Sequence, residues 1–143
     1  MLLTDVNVFI YAHRPESPRA DDHRSWLTDA LHGEEPFGVS ELVLSAFVRI
    51  VTHHRVFREP TPPDVALRFC DAVLRAPAAV PVRSGPRHFE IFSRLCAAAG
   101  ARGNLVPDAY LAALSIEHGA TWVTTDAGFA RFPGLRWRSP LTE

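Results

Sequence analysis

Four carboxylates stand where apolar, strand-like segments hand over to helices. They are Asp5 in MLLTDVNVFIYAH, Glu41 after FGVS, Asp108 in NLVPDAYLAAL and Asp126 after TWVTT. An ionised carboxylate without partners costs several kcal/mol to bury, so proteins pair it, shift its pKa or place it on a metal. Taken singly, each acid has a local explanation. Asp5 and Asp126 are placed to cap the segments that follow them, and Glu41 and Asp108 to complement a helix dipole from the first turn. No Glu or Gln follows Asp5 or Asp126 at the third helical position, so no capping box supports that account. Capping also gives no reason for four acids to lie in apolar surroundings, whereas others, such as Asp21-Asp22 and Glu34-Glu35, lie in polar ones. If the four converge, mutual repulsion raises their pKa values or splays them apart unless a cation holds them. All-oxygen ligands select Mg2+ or Mn2+, ions that also bind phosphate oxygens and acidify water. The chemistry this points to is hydrolysis of a phosphodiester.

The elements that must position these acids alternate. LLTDV reads as a short strand and NVFIYAHR as a short helix. Residues 18–32 read as a helix with Trp26, Leu27, Ala30 and Leu31 at helical spacing. FGVS is a strand, and residues 40–57 form a long apolar helix opening on a Ser40 N-cap. A proline-rich loop (58–63) leads to an amphipathic helix at 64–76, then a strand at 79–83. Residues 85–100 form a helix closed by Gly100. Residues 105–119 form another, with Pro107 in its first turn and Gly119 at its C-cap. TWVTT (121–125) is a β-branched strand, DAGFARF a short helix or turn, and LRW the last strand. This alternation predicts an α/β protein, a three-layer α/β/α sandwich around a mostly parallel central sheet, with residues 1–143 as one domain. Open α/β sheets build their sites outside the carboxyl ends of the strands. Asp5, Glu41 and Asp126 fall at such ends, and Asp108 opens the helix that feeds TWVTT.

Composition narrows the chemistry. The chain has 143 residues, 47% hydrophobic and 22% charged, with a net charge of −1. Neutralising the four acids on a metal would leave the remainder positive, so the overall charge does not argue against a polyanionic substrate. Every basic residue other than histidine is arginine. The absence of lysine excludes P-loop, Schiff-base and lysine-base mechanisms, and arginine's fork suits phosphate. Cys70 and Cys96 match neither a zinc pattern nor a disulfide framework and read as free thiols. The amino-terminal residues do not read as a signal peptide, and no apolar run is long enough to span a membrane. A cytoplasmic protein is expected. No serine-hydrolase, dinucleotide or HExxH zinc motif is present.

LLTDVNVFIYA, SELVLSAFVRIV and NLVPDAYLAALSIEHGATWVTTDAGFARFPGLRW, in that order, resemble the PIN-domain family, specifically the VapC ribonuclease toxins of toxin–antitoxin pairs. The resemblance runs from about Leu2 to Trp137. It implies that Asp5, Glu41, Asp108 and Asp126 bind Mg2+ or Mn2+ and that a metal-activated water attacks RNA. It also implies supporting roles for Thr4, Asn7, Ser40 and Thr125, a homodimer, and a small VapB-like antitoxin that covers the site. Many relatives carry a second acid two residues after the last aspartate; here that position is Gly128. His13, Arg14 and Arg136 are candidate RNA contacts. His53-His54-Arg55 reads as a solvated helix end. Trp26, Phe47, Phe57 and Phe69 suit either the core or an apolar surface. The competing reading is a non-catalytic module that binds RNA or protein. A phosphotransfer domain is set aside, because Asn7 stands where a second aspartate is needed and lysine is absent.

Overall fold

A computed structural model describes residues 1–142. Five strands form one parallel sheet: β1 (Leu2–Thr4), β2 (Phe37–Val39), β3 (Ala79–Pro81), β4 (Thr121–Val123) and β5 (Trp137–Arg138), in spatial order β3-β2-β1-β4-β5. Six helices connect and cover them: α1 (Val6–His13), α2 (Ala20–His32), α3 (Glu41–Val51), α4 (Pro63–Leu74), α5 (His88–Ala99) and α6 (Leu105–Glu117). A 3₁₀ turn, Ala127–Arg131, follows β4. The expected α/β/α architecture with a parallel sheet is what forms.

β1 occupies the centre with all three residues buried. A strand covered on both faces reads as a continuous apolar run, which is why LLT shows no alternation. The chain builds outward from β1 through β2 to β3, then returns to the other side of β1 with β4 and β5. The order of winding therefore reverses between β1 and β4, which is where ligands bind in such sheets. Pro81 sits in β3, an edge strand, where a missing ladder donor is tolerated. Gly38 in β2 is required by packing: a β-carbon there would lie 2.8 Å from Leu3 Cδ2 and 2.9 Å from Val82 Cγ2.

The helix expected over 40–57 stops at Val51. The Thr52 hydroxyl donates back to Val48 O at 2.6 Å, and the Thr61 N–H takes Val51 O at 2.8 Å, so the last carbonyls are satisfied without another turn. Residues 52–57 then fold into a turn closed by the Phe57 N–H on His53 O. Phe47 is fully buried and stacks on Phe69 with ring centroids 4.5 Å apart, while Trp26, Phe57 and Phe69 pack partly buried against the core. These four aromatics thus belong to the interior. Cys70 and Cys96 are free thiols. Among the described residues no helix is long and apolar enough to cross a membrane.

Candidate active site

The register of β1 on β4, Thr4 against Val123, sets Asp5 beside the residues that follow β4, and the Asp5 N–H donates to Val123 O at 2.9 Å. The Asp5 side chain is held by both oxygens. Oδ1 accepts the Val6 N–H at 2.8 Å, so Asp5 does cap α1 as its local explanation had it, and Oδ2 accepts the Thr124 hydroxyl at 2.7 Å. The residue is 8% exposed, and no cation pairs with it among the described residues. Burial pushes its pKa from 3.8 up to about 6; the charges of Asp108 and Asp126 push the same way, against the bonds from Thr124 and Val6.

Asp108, in the first turn of α6, is raised by burial and by the charge of Asp126, with Arg131 opposing. Asp126 caps the 3₁₀ turn, its Oδ1 accepting the Gly128 N–H at 2.8 Å. Three aspartates thus feel one another's charge around the switch point. Glu41 stands apart from them. Its side chain is 73% exposed, and its nearest cation is Arg83 Nη2 at 3.9 Å. Among the described residues, no three His, Cys, Asp or Glu side chains are gathered as a ready metal cage.

Thr124 ties the cluster together. It is fully buried, donates to Asp5, accepts the Asp126 N–H at 3.0 Å and lies 3.5 Å from Asn7 Nδ2. The sequence reading chose its neighbour Thr125, which is exposed. The two threonines are chemically equal, and only the register of β4 on β1 distinguishes them. Thr4 Oγ1 and Asn7 Oδ1 are buried without hydrogen-bond partners, and Ser40 is buried with no capping bond from its side chain. A donor set made of carboxylate, hydroxyl and amide oxygens, two of them unsatisfied, suits a hard divalent cation and its waters. Asp5, Asp108 and Asp126 are the carboxylates that could approach one from this edge.

Gly128 has a physical account. A β-carbon at this position would lie 2.8 Å from Asp126 Oδ1 and 3.1 Å from Arg131 Nη2, whose Nε donates to Gly128 O at 2.7 Å. A side chain at this position would have to displace Asp126 Oδ1 and the Arg131 guanidinium.

The arginines and histidine expected to meet RNA lie elsewhere. α1 starts at Asp5 and runs back along the sheet, so His13 lies about 12 Å further along the helix, by its rise per residue. There His13 Nε2 meets Thr61 Oγ1 at 3.0 Å between the rings of Phe47 and Phe69, and Arg14 lies over the Phe57 ring at 4.2 Å. Burial, reinforced by Arg14, holds the His13 pKa below its ordinary value. Arg136 precedes β5 and donates to Gly119 O, ahead of β4, which places it at the amino edge of the sheet. None of the three joins the acidic cluster.

The PIN domain family model matches residues 2–135. The chain belongs to the PIN-domain family. Within it, the chain falls among the VapC proteins. It is 48% identical over 141 residues to a protein named VapC ribonuclease Mb2897 from Mycobacterium bovis, covering 99% of this chain and 96% of that one. It is 40% identical over 140 residues to Ribonuclease VapC25 of Mycobacterium tuberculosis, covering 98% of this chain and 99% of the relative. Among solved structures, the fold matches VapBC2 from Rickettsia felis bound to a promoter DNA fragment, with a TM-score of 0.71 at 19% identity over 96% of this chain and 97% of that one. FitAcB from Neisseria gonorrhoeae superposes with a TM-score of 0.66 at 19% identity, covering 98% of both chains. This PIN domain therefore places Asp5, Asp108 and Asp126 at the carboxyl edge of the sheet on either side of the β1–β4 switch point.

Proposed function

We propose that the chain is a Mg2+- or Mn2+-dependent endoribonuclease and acts as the toxin of a toxin–antitoxin pair. The observation that carries this reading is Asp5: a buried, cation-free carboxylate at the switch point, with Asp108 and Asp126 beside it. Full-length likeness to proteins named VapC ribonucleases supports it.

In this reading Asp5, Asp108 and Asp126 would hold the ion, with Glu41 as the fourth carboxylate of the quartet. The ion, when bound, supplies positive charge to the phosphate oxygens and acidifies water. The Thr124 hydroxyl, donating to Asp5 Oδ2, would keep that carboxylate aimed toward the ion. Thr4 Oγ1 and Asn7 Oδ1 accept hydrogen bonds from the attacking water and so orient it. An Asp108 carboxylate oxygen not on the ion takes the proton from that water as it adds to phosphorus. The bond to the leaving oxygen then breaks, and that oxygen takes a proton from solvent.

A protein antitoxin is the proposed partner, and structures of VapBC2 and of FitAB bound to DNA share the fold. A groove of about 400 Å3 beside the site offers it apolar side chains from Val6, Leu42, Ala46, Phe92, Pro107 and Leu111. A homodimer is proposed with it. The outward turn of Glu41 favours the second reading, a non-catalytic module that binds RNA or protein. Cleavage of total cellular RNA with Mn2+, Mg2+ or chelator decides between them. Discrete fragments that need metal and vanish in Asp5→Asn and Asp108→Asn support the nuclease. Identical lanes, together with no calorimetric metal binding, leave the module.

A further inference from the structure

The strand order turns the carboxyl edge of the sheet into a row of charges. Arg83 follows β3, Glu41 follows β2, Asp5 follows β1 and Asp126 follows β4. At the Arg83 end lies a cavity of about 260 Å3 lined by Ser40, Glu41, Leu42, Arg83, Ser84 and Tyr110. This lies just under the roughly 300 Å3 at which small-ligand pockets begin, so the cavity has room for part of a nucleotide, such as a phosphate and its sugar, and not for more.

The segment carrying Arg83 is fastened more tightly than its exposure calls for. The Gly85 and Arg87 N–H groups donate to the Glu117 carboxylate at 2.6 and 2.9 Å, and His118 Nε2 lies 2.7 Å from Arg83 O. The Glu117 side chain is 8% exposed. A β-carbon at Gly85 would lie 2.8 Å from Glu117 Oε2, so any larger residue there would have to displace the carboxylate that fastens the loop. Fastening a loop in advance removes the ordering cost it would otherwise meet on binding. The Arg83 guanidinium is not committed. Its one carboxylate contact is Glu41 at 3.9 Å, with side chains 79% and 73% exposed, and such a pair holds weakly. The buried Ser40 hydroxyl on the same cavity makes no capping bond.

We infer that this cavity is a subsite for the nucleotide next to the scissile phosphate. Arg83 holds the non-bridging oxygens of the flanking phosphate in its fork, and the Ser40 and Ser84 hydroxyls bond sugar or phosphate oxygens. The inference rests on the ribonuclease reading. It adds a direction to it: the RNA strand crosses the sheet edge from the aspartates toward β3.

The test is the affinity of a fluorescein-labelled single-stranded RNA oligonucleotide for the full chain in EDTA, where metal-dependent cleavage is silent, over a salt series. Arg83→Gln is expected to weaken binding about tenfold, the size of one lost charge-assisted contact. It should also reduce the slope of log affinity against log salt by about 0.7, one phosphate contact on a single strand. Arg83→Lys keeps the charge without the fork and recovers part of the affinity. Arg68→Gln, on α4, changes neither quantity, and in Mn2+ cleavage Arg83→Gln raises KM more than it lowers kcat. Wild-type affinity and slope in Arg83→Gln, with a wild-type chain that cuts RNA, overturn the subsite and leave the nuclease standing. Failure of the wild type to bind RNA in EDTA overturns it too, since the grip needs no metal. A wild type that cuts nothing while Arg83→Gln alone loses binding keeps Arg83 as an RNA contact and removes the nuclease.

Discussion

Asp5→Asn is expected to stabilise the metal-free protein at neutral pH while abolishing cleavage. The wild-type carboxyl is pushed from 3.8 up to about 6. Its folded pKa lies above its unfolded one, so its contribution to stability is fully present below about pH 4 and lost as pH rises through 6. A shift of about two units corresponds to roughly 3 kcal/mol at pH 7.5, an upper bound for the cost of keeping this carboxylate charged. Asparagine removes the charge and keeps one acceptor oxygen. It then loses either the Val6 N–H or the Thr124 hydroxyl as a donor partner, at a cost of about 1 kcal/mol. The net gain is about 1–2 kcal/mol, or roughly 3–6 °C in Tm for a chain of this size. The assay is thermal unfolding of wild type and Asp5→Asn in EDTA at pH 7.5 and at pH 4.5. The difference should shrink or reverse at the lower pH, where the wild-type carboxyl is protonated. An Asp5→Asn protein less stable than wild type at pH 7.5, or a difference that ignores pH, would refute the claim that Asp5 is a charge held against burial. The combination of gained stability and lost function is what a site strained for activity predicts.

Other consequences follow from the same packing. Thr124→Val keeps the shape but removes the donor to Asp5 and the acceptor for the Asp126 N–H. It should cost about 1.5–3 kcal/mol of transition-state stabilisation, read as a ten- to hundredfold fall in kcat, while Thr125→Val stays near wild type. Phe47→Ala, which empties the site stacked on Phe69, is expected to destabilise by about 3–5 kcal/mol in urea unfolding. Gly38→Ala forces a β-carbon against Leu3 and Val82 and should cost about 1–3 kcal/mol by the same measurement. Gly128→Asp is expected to abolish or sharply reduce metal-dependent cleavage, because the new side chain collides with Asp126 and draws Arg131 into an ion pair; unchanged cleavage would count against the account of that position.

What the sequence disclosed and withheld follows from which physical signals are local. The junction acids were legible because a charge inside an apolar run is costly wherever the chain goes, so its position alone raises the question. The alternation of strands and helices was legible for the same reason, since periodicity is a property of neighbours. Thr124 was not, because choosing it over Thr125 requires the pairing of β4 with β1, residues more than a hundred positions apart. The end of α3 was hidden too. Its apolar pattern continues past Val51, while the groups that stop it, the Thr52 hydroxyl and the Thr61 N–H, act through bonds that the pattern does not encode. His13 and Arg14 are close to Asp5 in sequence but not in space, because a helix leaving a strand runs back toward the opposite edge. The Glu117 and His118 fastening of the Arg83 loop left no mark in the sequence beyond a glycine at position 85.

The pairing of β1 with β4 also sets a schedule for synthesis. Asp5 is synthesised well before its partners: its hydrogen-bond donor Thr124 and its neighbour Asp126 come 119 and 121 positions later. At about 5–20 residues per second, the amino-terminal strands exist for many seconds with one edge of β1 unpaired and no complete centre. A chain stopped anywhere before residue 121 is therefore both inactive and sticky along that edge. On the proposed function, activity is switched on only as β4 and β5 dock, and an inhibitor already present in the cell meets each new toxin at the moment it becomes dangerous.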